Sequence, residues 1–192
     1  MDVGIRKKHQ KHILTKAPII RLMPNAVTHI LIPIILIDLI RDYKLKNKRI
    51  LTNKHILLCG IGGILPDMDV AFGLVMTILT GSSPMAFHRT YTHSLFAPLL
   101  LLIITAILHY KNKKEPFKIS LMITIGYIIH LFLDAILIDS IMPFYPLSTA
   151  KWGLNIITGD EFGTTLMLGL DTVILLAWLI HEQIKHKIID YI

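Results

Sequence analysis

Residues 55–79 read HILLCGIGGILPDMDVAFGLVMTIL, an apolar stretch broken at its centre by Leu65-Pro66-Asp67-Met68-Asp69. About 20 apolar residues suffice to cross a bilayer, so this stretch is long enough. Its centre is nevertheless costly. Pro66 removes a backbone donor, and a carboxylate at membrane depth costs ~2.5 kcal/mol or more on insertion scales. Irregular backbone at that depth survives only where protein or water satisfies it. The stretch therefore predicts two half-helices, or a helix, a buried turn and a helix, inside a protein with several spans.

The rest of the chain agrees. It has 192 residues, of which 53% are hydrophobic and 17% charged, against about 25% charged in a soluble domain. The mean hydropathy is +0.60. These values exclude a disordered chain, a coiled coil and an ordinary soluble enzyme. Apolar runs predict spans near 22–40, 55–79, 95–110, 119–139 and 164–183. The expected fold is an all-α integral membrane bundle of about five transmembrane segments with a buried His/Asp cluster. A basic tail, 1–21, precedes one membrane-embedded domain, 22–192, and no cleavable signal peptide is expected. The formal charge of +7 lies in clusters beside apolar runs, Arg6 to Arg21, Arg41 to Lys54 and Lys111 to Lys118. That pattern writes membrane topology, and no nucleic-acid partner is expected. Cys59 is the single cysteine, so an internal disulfide and a thiolate-rich zinc site are both excluded.

Ionisable residues inside or at the mouths of the spans carry the chemistry: His29, Asp67, Asp69, His88, His93, His130, Asp134 and Asp171. Imidazole and carboxylate are ligands suited to zinc or manganese. His130 and Asp134, at i and i+4, share one helical face; a buried His–Asp hydrogen bond is the plain alternative. Asp67 and Asp69 repel each other unless a cation lies between them; otherwise one of them caps a helix. His88 and His93 flank Arg89 and Thr92, and converge only if His88 sits in a loop and His93 at a helix start. Arg89 suits phosphate or carboxylate through its planar fork, or pairs with Asp67 or Asp69. His29 is a ligand or a packing residue. Asp171 either orients a ligand His, pairs with Arg89, or caps or packs. His55, His109, His181 and His186 read as interfacial, and Asp38 pairs with Arg41. Threading the five spans brings all the candidate ligands to one depth.

Thr28-His29, Leu65-Pro66-Asp67-Met68-Asp69, His88-Arg89-x-x-Thr92-His93-Ser94, His130-x-x-x-Asp134 and the Pro146 to Trp152-Gly153 segment together resemble the YdjM family of membrane-bound, predicted metal-dependent hydrolases, over about residues 23–180. That family is similar in turn to zinc-dependent phospholipase C and P1 nuclease. The resemblance implies His29, Asp67, His93 or His88, His130 and Asp134 as metal ligands. No second His-x-x-x-Glu pair of the phospholipase type fits, so one or two ions are expected rather than three.

The expected function is metal-dependent hydrolysis of a phosphoester in a phospholipid or another lipid-linked substrate that enters laterally. Zinc is the first expectation and manganese the second. Asp69 or Asp67 would act as base and Arg89 would hold the phosphate, with Thr92 and Asp171 supporting the ligands. The rivals are an ion or metal transporter, against which the lack of internal repeats speaks, and a partner-binding membrane protein with a structural metal clip. The connecting loops carry ten Lys and Arg on the side away from the site and two on the site side. The positive-inside rule then puts the site on the extracytoplasmic side of the cell membrane.

Overall fold

A computed structural model describes residues 26–45, 50–81, 83, 88–137, 140–157 and 161–186. The expected basic tail 1–21, residues 46–49 of the first basic loop, and the chain end from 187 lie outside the described residues. The described part is helical, with no strand, apart from one isolated bridge between Ile141 and Trp152. The helices are α1 (Ala26–Tyr43), α2 (Asn53–Ile64), α3 (Met68–Thr80), α4 (Phe96–Tyr110), α5 (Lys114–Ile136) and α6 (Glu161–His186). A single 3₁₀ turn, Leu65–Asp67, joins α2 to α3, so Asn53–Thr80 runs on as one rod. The Pro-Asp break is thus a tightened turn with Pro66 near its start, where the missing amide matters least.

Five rods follow one another where five spans are expected, but three of them are long and apolar enough to cross a membrane: Asn53–Thr80, Lys114–Ile136 and Thr165–Lys185. α1 falls short because Asp38, Arg41 and Asp42 occupy its last turns. α4 has 15 residues, about 22 Å of helix against a hydrocarbon core of about 30 Å. α5 begins five residues before the expected fourth span and takes Lys114, Glu115 and Lys118 into its first turns. His55, expected at an interface, is buried. Its Nδ1 lies 2.8 Å from the Thr52 hydroxyl in a box that caps α2.

Side-chain pairs fix the directions. Thr28 at the start of α1 meets Asp171, ten residues into α6, and Asp38 faces His181 (3.9 Å) further along both. The two helices therefore run parallel, as the first and fifth of five successive rods must. Asp38 also pairs with Arg41, as expected. Trp178 of α6 packs on a core of Ile34, Ile37, Ile56, Cys59 and Met122.

α2 lies at the centre and touches its neighbours backbone to backbone. A Cβ at Gly126 of α5 would lie 1.9 Å from the Cys59 carbonyl oxygen, and one at Gly63 would lie 2.1 Å from that of His29. Pro33 lacks the amide that would bond the His29 carbonyl within α1, so Gly63 comes up against an acceptor left open. Small residues that admit such approaches are the usual means of helix association in lipid, where burial of apolar surface drives little. Gly126→Val should accordingly lower stability by about 1–3 kcal/mol through overpacking. Gly169→Ala, which meets nothing within 4 Å, should change it by less than about 0.5 kcal/mol. Unfolding midpoints in detergent check the pair, and equal midpoints would contradict the close approach.

Candidate metal centre

Five elements deliver ionisable side chains to one end of the bundle. His29 stands in the first turn of α1, Asp67 in the 3₁₀ turn and Asp69 in the first turn of α3. His88, Arg89, Thr92 and His93 come from the turns before α4. His130 and Asp134 come from the last turns of α5. His29, Asp69, His93, His130 and Asp134 are all buried.

Four atoms face one another at the centre: His93 Nε2, His130 Nε2, Asp67 Oδ1 and Asp134 Oδ2. The two imidazole nitrogens are 3.3 Å apart. His93 Nε2 lies 3.5 Å from Asp67 Oδ1 and 3.2 Å from Asp134 Oδ2. His130 Nε2 lies 3.6 Å from each of the same two oxygens. Bonds of ~2.0–2.1 Å to a tetrahedral zinc imply a spacing of about 3.3–3.4 Å between ligand atoms. Five of the six edges of such a tetrahedron are therefore close to the right length. Asp134 Oδ2 is buried and accepts no hydrogen bond among the described residues. An orphaned carboxylate oxygen facing two imidazole nitrogens fits a cation.

Hydrogen bonds behind the rings fix which nitrogen faces inward. His130 Nδ1 lies 2.6 Å from the Gly63 carbonyl oxygen. A carbonyl only accepts, so Nδ1 carries the proton and the Nε2 lone pair of the neutral ring is left for the centre. That carbonyl is within reach because the regular α2 ladder ends at the 3₁₀ turn. His93 Nδ1 lies 3.0 Å from the Thr92 hydroxyl, which itself donates to Asp69 Oδ2 at 2.6 Å. Nδ1 is thereby the donor, and Nε2 again faces inward. A ligand His that donates its other N–H to a carbonyl or carboxylate network is how metal sites hold their rings.

Asp69 is the hub of the 88–95 turns. Besides Thr92 it holds His88 Nδ1 at 2.9 Å and accepts the Arg89 amide at 3.2 Å. It lies on the Nδ1 side of His93, away from the four central atoms. Neither Asp67 nor Asp69 makes a side-chain cap on α3. Arg89 has φ 60°, in the left-handed region, which costs a non-glycine residue of order 1–3 kcal/mol and clusters at functional sites. Its side chain approaches Asp134, with Nε 3.9 Å from Oδ2, a carboxyl outside the expected Asp67, Asp69 and Asp171.

His29 Nε2 lies 3.2 Å from the other Asp134 oxygen, and its ring stacks on His130 at 4.0 Å. His88 sits edge-on to His93, with ring centroids 5.0 Å apart. Two groups of three, His29 with His130 and Asp134, and Asp67 with His88 and His93, each have ligand atoms close enough to hold an ion. Asp171 accepts the Thr28 amide at 3.1 Å and the Thr28 hydroxyl as well. It thus clamps the start of α1 one residue before His29.

Sequence reasoning missed Tyr127, whose hydroxyl donates to the Thr92 carbonyl at 2.5 Å. The available signal was its place at i−3 from His130 on the same helical face. Burial pushes the His93 imidazolium down, but the carboxylates of Asp134, Asp67 and Asp69 outweigh it and carry it up to about 10. A proton and a divalent cation therefore compete for His93.

The fold and the site together define a helical membrane protein with a buried His/Asp centre that fits a divalent metal. The chain belongs to the YdjM inner membrane protein family, whose sequence model matches residues 23–189. Searches of curated proteins and of solved structures gave no match, and the likeness to phospholipase C and P1 nuclease is not among these findings.

His130→Ala and Asp134→Ala should each abolish stoichiometric zinc or manganese binding. Asp69→Asn, which leaves the four central atoms in place but disturbs the support of His93 and His88, should weaken it by about 10–100-fold. Affinity should fall as pH falls, because the ligating imidazoles must be neutral. Titration of detergent-purified protein checks all three. Full affinity in the His130→Ala/Asp134→Ala double variant would contradict the centre.

Proposed function

We propose that this protein is a membrane-bound, metal-dependent hydrolase that cleaves a phosphoester in a phospholipid or another lipid-linked substrate. The observation that carries this reading is the inward-facing quartet of two imidazole nitrogens and two carboxylate oxygens, with a guanidinium beside it. A divalent cation, zinc in the first place, held by His93, His130, Asp67 and Asp134 would acidify a water and polarise a phosphoryl oxygen. His29 and His88 are the residues available to a second ion.

The chain's own residues supply the rest. Four protein ligands close a zinc site, so a reacting water needs one of them to yield. Asp67 is the most exposed of the three carboxylates, at 15% of its side chain, and is the one that would give way to the water and serve as its base. Asp69 acts as a positioning residue, since it fixes His93, His88 and Thr92 together. Arg89, a quarter exposed at the rim, is suited to hold the non-bridging phosphate oxygens and the charge they develop. Its amide bond to Asp69 keeps it there in a backbone conformation it would otherwise leave. The five rods serve as five crossings, with the site end on the extracytoplasmic side and the Lys- and Arg-rich loops on the other.

The metal-loaded protein should hydrolyse a labelled phospholipid in mixed micelles, and the chelated protein should not. Arg89→Lys keeps the charge without the fork. It should retain fold and metal while losing about tenfold or more in kcat/KM. Unchanged kinetics would remove Arg89 from phosphate binding, and absence of turnover with any phosphoester would overturn the hydrolase reading. In a Cys59→Ser background, Ser83→Cys should label from outside intact cells and Asn47→Cys should not. The reverse pattern would put the site in the cytoplasm.

A further inference from the structure

Residues 140–157, between α5 and α6, are neither helical nor loosely held. Ile141 and Trp152 exchange both backbone hydrogen bonds, at 2.9 and 2.8 Å. The Leu154 and Ile157 amides donate to Ala135 and Leu137, at 2.6 and 2.7 Å, and the Leu95 amide donates to Pro143 at 2.9 Å. Ala135 and Leu137 lie one and three residues beyond Asp134, and Leu95 two residues beyond His93. The segment is thus strapped across the end of the bundle that bears the metal centre, and Tyr145 packs edge-on against Tyr91 there, with ring centroids 4.8 Å apart. Ile141 faces in and is buried with Tyr127 and Leu131.

The outer face of this strap is the opposite of what water favours. Phe144, Leu147, Trp152, Leu154 and Ile156 are between 47% and 81% exposed. Large apolar side chains exposed together on a firmly bonded segment mark an interaction surface. Its surroundings identify the partner. It adjoins the start of α4, whose Phe96 and Leu99 also point outward, so the apolar face continues that of an apolar helix. The one charged residue in 140–157 is Lys151, a residue type that anchors at the bilayer surface. Aromatic rings beside a lysine are the composition of a membrane–water boundary.

We propose that residues 140–157 form a platform that lies in the headgroup layer of the bilayer and holds the mouth of the metal centre at that depth. The bound partner is the lipid surface itself. This rests on the membrane reading of the fold and not on hydrolysis. Because its test measures depth and not turnover, the two can fail separately.

Trp152 is one of two tryptophans and reports the depth. In Trp178→Phe protein reconstituted into phosphatidylglycerol–phosphatidylcholine vesicles, lipid brominated near the acyl-chain carbonyls should remove about half of the Trp152 emission or more. Aqueous acrylamide should have much the smaller effect. Dominant quenching by acrylamide would overturn the platform, since the strap would then project into water. Quenching by neither would overturn it too, because a second chain or another protein would be covering the face. Should Trp178→Phe fail to fold, a nitroxide at Leu154→Cys in a Cys59→Ser background gives the same decision. Collision with oxygen should exceed collision with a water-soluble nickel complex, and the reverse order would contradict the proposal.

Discussion

The carboxylate of Asp134 is the constraint around which this end of the molecule is organised. It sits at the end of an apolar helix, 5% exposed, where an unpaired negative charge would be prohibitive. The bundle answers with imidazoles from three elements. His29 meets one oxygen, while His93 and His130 meet the other. Arg89 approaches from the rim. Asp67 adds a further negative charge to the same space, which deepens the need for a cation. α1, α4 and α5 are thereby tied to one point, and the 3₁₀ turn that delivers Asp67 is tied with them.

This convergence demands that the helices lie unusually close. Gly63 and Gly126 let α2 touch α1 and α5 through backbone atoms. The same contact puts the Gly63 carbonyl where His130 Nδ1 can use it. The packing device and the orientation of a central imidazole are thus one feature. A side chain at either glycine would separate the helices and release the ring. The Asp69 network does the corresponding work for His93, in a segment that has no helix to hold it.

What the sequence disclosed follows from which geometries are local. His130 and Asp134 were legible because a helix fixes i and i+4 on one face, and the apolar run around them fixed their depth. The break at Leu65 to Asp69 was legible from Pro66 and the two carboxylates, although it proved to be a single tightened turn. The 88–95 turns were not legible in detail. No periodicity governs them, and the left-handed Arg89 depends on a bond to Asp69, twenty residues earlier. That left His88 and His93 undecided, and it made capping by Asp69 look reasonable. Asp171 was left open between orienting a ligand His, pairing with Arg89 and capping or packing; its partner is Thr28 on another helix, a contact that no spacing encodes. His55 stands at a helix start, as expected of a residue at a span end, but its role as a cap was not read from the sequence. Five rods follow one another where five spans were expected, and among the described residues the charged end of α1 and the shortness of α4 leave three of them long and apolar enough to cross a membrane.

The central claim is that His93, His130, Asp67 and Asp134 form one metal-binding centre. X-ray absorption at the zinc edge of detergent-purified, zinc-loaded protein tests it most directly. The account predicts about one or two ions per chain, with a shell of mixed imidazole nitrogen and carboxylate oxygen at ~2.0–2.1 Å and the outer-ring scattering that bound imidazole produces. A shell of oxygen alone without imidazole scattering, or protein that takes up no zinc in stoichiometric amount, would contradict it.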